Sequence, residues 1–212
     1  MSTSLPRNYE AVQTEFTSSS RGTRMGRRIT KNISECSQYL QPPVLCVGCG
    51  DGWELEQLAK SMNVEPKKNI IEGIEVTSSR VEIAKQHNLP VHLGSAENML
   101  DIIGDKKFNI LCMHTLEHCF NIQLAIENFK KAALDTIVII VPIEVKGRTR
   151  NRAHYSPISG LGKIANMFGM DYEITISYNW CIELQGRLIV KRHLMNWPEK
   201  LKGSRSSELL IK

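Results

Sequence analysis

No apolar run in the chain approaches the ~20 residues that a bilayer-spanning helix needs, so no stretch reads as a membrane span. Residues 1–7 lack the apolar core of a secretory signal. No internal repeat is present. The six cysteines are scattered without a disulfide-like framework. That pattern suits a reducing compartment and sets the expectation of a cytoplasmic protein. No nucleic-acid-binding module stands out, and aromatic residues make up only 6% of the chain. What remains, 212 residues of which 42% are hydrophobic and 23% charged, is the composition of an ordinary globular protein with a substantial core.

The net charge of +5 is unevenly spread. Residues 21–31 carry Arg21, Arg24, Arg27, Arg28 and Lys31, and residues 146–152 carry Lys146, Arg148, Arg150 and Arg152, in both cases without an acid. Residues 191–212 add six cations against Glu199 and Glu208. These segments hold 15 of the 27 cationic residues and 2 of the 22 acidic ones, leaving 12 and 20 elsewhere. An acidic body with basic ends and one basic loop follows.

The segment from Val44 to Gly52, Val-Leu-Cys-Val-Gly-Cys-Gly-Asp-Gly, organises the rest. Its apolar start reads as a buried parallel strand. Glycines at every second position then allow a sharp turn and close approach of a ligand to bare backbone. Leu55, Leu58, Ala59 and Met62 follow at helical spacing. A helix that starts there offers unpaired N–H groups to a carboxylate or phosphate. Further strands are expected over 69–76, 90–93, 108–113 and 136–141, and an alternating terminal pair lies beyond residue 173. Helices are expected from Arg27 to about Leu40, from a Ser79/Glu82 capping box to about His87, behind Ile122, and from a Ser156-Pro157 cap to Gly169. The resulting fold class is α/β: a doubly wound, mostly parallel, Rossmann-like seven-stranded sheet with helices on both faces and a C-terminal antiparallel hairpin.

Glu75 ends the second strand. In a doubly wound sheet an acid there lies beside the glycine loop and can accept hydrogen bonds from both hydroxyls of a ribose. The G-x-G-x-G spacing differs from the dinucleotide fingerprint G-x-G-x-x-G, with Trp53 in place of its third glycine, which disfavours an NAD-linked enzyme.

This spacing, the acid at Glu75, the Gly94-Ser95-Ala96-Glu97 turn and the Leu116-Glu117-His118 triplet together resemble the class I S-adenosylmethionine (SAM)-dependent methyltransferases, over about residues 43–192. The resemblance implies a methyltransferase using S-adenosyl-L-methionine. It places the methionine part on Gly48, Cys49, Gly50 and Gly52, the ribose on Glu75 with Val76 adjacent, and the adenine near Ser95, Ala96 and Glu97. Met113, His114 and Leu116 would form the floor beside the sulfonium. Two residues depart from the family pattern: Cys46 stands where an acid is usual, so that Glu54 or Glu56 must supply it, and Ser95 replaces an Asp. The implied organisation is a basic segment over 1–26, the methyltransferase domain over 27–195 and a basic tail over 196–212.

His118 is the candidate general base, and its alternative is a histidine that caps or packs at a helix start. His114 to His118 also spells H-x-x-E-H, a zinc motif when it lies within a helix; following a buried strand, it is expected to bind no metal. Cys46-x-x-Cys49 is expected to pack rather than to act in redox chemistry. The acceptor expected from the charge map is an anionic small molecule, with RNA, reached through residues 21–31 and 146–152, as runner-up. A protein acceptor and a non-catalytic SAM-fold binding protein are the remaining alternatives.

Overall fold

The computed structural model describes residues 21–144, 154–169, 172–180 and 184–192. Within them lie α1 (Arg24–Cys36), β1 (Val44–Val47), α2 (Trp53–Met62), β2 (Ile71–Glu75), α3 (Ser78–Gln86), β3 (Val91–Leu93), α4 (Met99–Ile103), β4 (Phe108–Met113), α5 (Ile122–Ala132), β5 (Ala133–Pro142), α6 (Gly162–Phe168), β6 (Tyr172–Trp180) and β7 (Leu184–Arg192). The seven strands form one sheet in the order β3-β2-β1-β4-β5-β7-β6. The pairs from β3 to β5 are parallel, and β7 runs antiparallel to both β5 and β6.

The alternation of side chains along a strand sorts the central strands into two cores. Leu45, Val47, Ile110, Cys112, Ile137 and Ile139 point to the face covered by α5 and α6. Val44, Cys46, Leu111, Met113, Val138 and Ile140 point to the face covered by α1, α2 and α3. Both faces being covered explains why these strands read as unbroken apolar runs. Chain order reverses between β1 and β4, and the crevice where a doubly wound sheet takes its ligand opens above their carboxyl ends.

Several expected boundaries move. The first helix begins at Arg24, not Arg27, because the Thr23 hydroxyl accepts from the Gly26 N–H at 3.0 Å and caps it there. Residues 24–26 therefore belong to the folded body rather than to a preceding segment. The second strand is shorter than 69–76, since Asn69 has φ 65° and lies in a turn. The Ser79/Glu82 capping box does not form: α3 starts two residues earlier, with Thr77 as its cap residue and no side-chain cap bond. Ser156-Pro157 does not start a helix either. The Ser156 N–H donates to the Glu117 carbonyl and the Glu144 N–H to the Ile158 carbonyl, so this segment is tied down as a non-helical strap and α6 begins only at Gly162. The short helix α4 went unpredicted.

Candidate functional site

The ends of β1, β2, β3 and β4 and the turns that follow them carry the cofactor and base candidates, at the carboxyl edge of the sheet, with Glu54 in the first turn of α2. The central contact joins the first two loops. Glu75 is 4% exposed. Its Oε2 accepts from the Gly50 N–H at 2.8 Å and its Oε1 from the Thr77 N–H at 2.9 Å. A carboxylate has about four lone-pair positions, so two remain for hydroxyl donors from the crevice.

The three loop glycines have different work. All have positive φ, but a Cβ on Gly48 would lie 2.0 Å from the Thr115 hydroxyl oxygen and one on Gly52 would lie 2.4 Å from Leu89 Cδ1. These two are small because protein packs against them. A Cβ on Gly50 would meet only Arg80 Nη1, at 3.6 Å. Gly50 is thus the glycine whose missing side chain leaves room in the crevice. Cys49 contributes backbone alone, because its side chain is buried against Gly73.

Acids gather behind the loop. Asp51 and Glu54 are buried, and Glu54 Oε2 has no hydrogen-bond partner. Burial pushes the Glu54 carboxyl well above the usual carboxylate range; the neighbouring Glu75 and Asp51 add to this while Arg80 opposes it. Glu56 instead pairs with Arg21 at the surface of α2. Of the two candidates for the acid missing at Cys46, Glu54 is therefore the one inside. Cys46 is buried, and burial pushes its thiol well above the ordinary value, as expected of a packing residue. Trp53 packs too: its indole N–H donates to the Gly26 carbonyl at 3.4 Å and Arg21 lies 5.2 Å from its ring centroid.

The third loop is held from within. The Ser95 hydroxyl donates to Asn98 Oδ1 at 3.1 Å and accepts from the Glu97 N–H at 3.3 Å. Glu97 Oε1 accepts from the Asn121 N–H at 2.8 Å, which ties this loop to the start of α5. Ala96 is buried, and its carbonyl accepts from Asn128 at 3.0 Å. Val76 is half-buried just past β2.

Beyond β4, Met113 and Leu116 are buried in opposite cores, so only their backbone can line a floor. Asn32 of α1 reaches Met113 Sδ at 3.6 Å, which seats the N-terminal helix against the end of β4. His114 has φ 52°. Its Nδ1 lies 3.7 Å from Glu117 Oε1, and His118 Nε2 lies 4.0 Å from the same oxygen. Burial works to raise the Glu117 carboxyl, but the adjacent imidazoles, His114 first and His118 second, outweigh it and hold the group below its usual range. The triplet Leu116–His118 forms a single 3-10 turn, so the α-helical context of a zinc-protease H-x-x-E-H is missing.

Sequence reasoning passed over four residues that the fold brings here: Asn32, Arg80, Thr115 and His154. The ring of His154 meets His118 edge-on with centroids 5.0 Å apart. Nothing in the local pattern around them signalled a part in the site. The loop 146–152 and its arginines lie outside the described residues.

No protein-family model matches the chain, and no curated protein sequence does. Solved structures do. Magnesium protoporphyrin IX methyltransferase from Synechocystis, with bound SAH, is 11% identical, with 88% of this chain and 95% of that chain covered at a TM-score of 0.63. A SAM-dependent methyltransferase from Anabaena variabilis is 14% identical, with 87% and 93% covered at 0.64. A SAM-dependent methyltransferase from Thermotoga maritima, described as a possible histamine N-methyltransferase, is 16% identical, with 79% and 90% covered at 0.57. Strand order, the antiparallel final pair and these likenesses agree: the chain has the fold of the class I SAM-dependent methyltransferases.

Proposed function

We propose that this protein is a SAM-dependent methyltransferase. The observation that carries the reading is the Glu75 carboxylate bonded to the N–H of Gly50, the loop glycine at which an added Cβ would meet nothing nearer than Arg80 Nη1 at 3.6 Å. Two fit tests support it. Glu75 keeps lone pairs for a ribose diol, and the buried acids Asp51 and Glu54, the latter with an unpartnered oxygen, suit the ammonium group of a methionine moiety.

In this reading Gly48, Cys49, Gly50 and Gly52 offer backbone to the methionine part, with Glu54 behind them. Glu75 holds the ribose, with Val76 at its side. The turn of Ser95, Ala96 and Glu97 borders the adenine. The backbone of Met113, His114 and Leu116 forms the floor toward the acceptor. SAM when bound supplies a methyl group on a sulfonium, already activated for displacement. What the chain must add is alignment and exclusion of water. His118 stands on the acceptor side, where its imidazole takes the acceptor's proton as a general base.

The acceptor we propose is an anionic small molecule, drawn in by Arg148, Arg150 and Arg152. RNA is the runner-up, weakened by the scarcity of aromatic residues for base stacking in the basic segments. No described helix is long and apolar enough to cross a membrane.

A non-catalytic binding protein is the second reading, and the departures at Cys46 and Ser95 favour it. Calorimetry with SAM, SAH and NAD tests the ligand: SAM and SAH should bind and NAD should not. Release of SAH from labelled SAM on addition of fractionated small molecules, RNA or protein separates enzyme from binder. Binding of NAD in place of SAM would remove both readings.

A further inference from the structure

We propose that Glu117, His118 and His154 form a binding site for one divalent transition-metal ion, on the acceptor side of the crevice. One ligand atom from each of the three lies within 4.8 Å of the others. His118 Nε2 is already 4.0 Å from Glu117 Oε1. Ligands about 2.0–2.1 Å from a common ion stand roughly 3.3–4 Å apart, so side-chain rotation of about an ångström closes the set.

Three features mark a built site. First, Glu117 is 2% exposed and its Oε2 has no hydrogen-bond partner. A buried carboxylate oxygen in that condition is costly, and a cation beside two imidazoles satisfies it. Second, His154 Nδ1 is hydrogen-bonded to the Glu144 carboxylate. A carboxylate on one ring nitrogen fixes the tautomer and orientation of a metal-binding histidine. Third, the backbone presents the ligands from two directions and locks them. The Ser156 N–H donates to the Glu117 carbonyl at 3.0 Å, the Glu144 N–H to the Ile158 carbonyl at 2.7 Å, and Phe120 stacks on Tyr155 at 4.2 Å. His114 Nδ1, 3.7 Å from Glu117 Oε1, steadies the carboxylate from outside the set.

The donor set chooses the ion. Two imidazoles and one carboxylate suit zinc, iron(II), manganese or cobalt rather than calcium or magnesium, which prefer oxygen alone. With three protein ligands among the described residues, coordination positions stay open, and side-chain exposures of 27% at His118 and 11% at His154 give an ion and a small molecule access. An acceptor hydroxyl bound there would lose its proton to solvent more readily, and His118 would then act as a ligand in place of the general base. That last consequence rests on the methyltransferase reading; the ion site does not.

The test uses the full chain, stripped with a chelator and titrated with zinc, manganese and cobalt ions in a calorimeter, with cobalt followed also by its visible absorption. One ion per chain and a cobalt band typical of nitrogen and oxygen ligands are expected. His154→Ala and Glu117→Gln should lose the band, and Glu144→Gln should weaken binding by about 10–100-fold. His87→Ala, at an exposed histidine, should change nothing. Absence of one-to-one binding in the wild-type chain would overturn the proposal without need of any variant. So would a His118→Ala/His154→Ala variant that melts like wild type and binds cobalt equally well. SAM titration of the stripped protein keeps the two readings apart. SAM binding without metal binding sinks the ion site alone, and metal binding without SAM binding sinks the methyltransferase reading alone.

Discussion

Gly48 and Thr115 claim the same space from the ends of two neighbouring strands: a Cβ on Gly48 would stand 2.0 Å from Thr115 Oγ1. That hydroxyl donates to the Val47 carbonyl at 3.1 Å, so the loop after β4 is pinned to the last residue of β1. Gly48→Ala should therefore be strongly destabilising, through the displaced bond and through φ +77°, which costs an L-residue about 1–2 kcal/mol by itself. Adding Thr115→Ala should recover only part of the loss, because Thr115 Cβ is itself 2.8 Å away. Urea midpoints measure both. A Gly48→Ala protein as stable as wild type would show that this packing is not what requires the glycine.

Gly50 should behave in the opposite way. Its Cβ would come no nearer than 3.6 Å to a neighbour, Arg80 Nη1, so Gly50→Ala should lower stability by no more than the left-handed backbone cost of about 1–2 kcal/mol and yet reduce SAM affinity at least tenfold. Gly50→Val should abolish binding. Near wild-type affinity in either variant would move the cofactor away from this loop.

Glu75→Ala removes an acceptor from two backbone donors, Gly50 and Thr77, as well as from a ribose. Bonds to a charged acceptor contribute about 1.5–3 kcal/mol each, so this variant should lose thermal stability as well as SAM affinity. A strand-end carboxylate seen in the sequence alone suggests a mutation harmless to the fold; its burial says otherwise. Glu75→Gln keeps one carbonyl acceptor and should be the less destabilised of the two while still binding SAM more weakly than wild type. Unchanged SAM affinity in a folded Gln variant would end the ribose assignment.

Glu54 should impose a pH dependence on stability. Its folded-state pKa is raised by burial and by neighbouring acids, so between the ordinary carboxylate range and that raised value the folded state binds more protons than the unfolded one. Stability then falls as pH rises through this window. Glu54→Gln should remove the fall and raise the melting temperature at neutral pH relative to wild type. Melting curves from pH 5 to 8 decide it, and parallel profiles for the two proteins would show that Glu54 is already ionised in the fold.

Neutralising Arg148, Arg150 and Arg152 together should raise the acceptor KM and flatten its dependence on salt, with SAM affinity unchanged. Steady-state kinetics across ionic strengths is the measurement. A KM and salt slope that stay put would reduce the loop to a solvated connection and remove the anionic-acceptor idea.

The sequence determined the layout by itself because each βα unit writes its own local signal. A parallel strand covered on both faces is an unbroken apolar run, as at Val44–Val47 and Phe108–Met113, and the helix behind it shows one apolar stripe. The pairing of Gly50 with Glu75 was legible for the same reason, since chain order in a doubly wound sheet puts those two loops side by side. Exact helix starts were not legible, because they depend on which donors are already taken. The strap at Ser156 is held by a distant carbonyl, and no local cap competes with that. Charge runs misled in one respect: Arg21 belongs to the basic run 21–31 in the sequence, but the fold pairs it with Glu56. Only tertiary structure decided which glycine has room for a side chain, Gly50 beside Arg80, and which are crowded by Thr115 or Leu89. It alone also brought His154 and Glu144, from beyond β5, to the Glu117-His118 turn. A ligand set is a relation in space, and local periodicity carries no information about side chains that meet across a sheet edge.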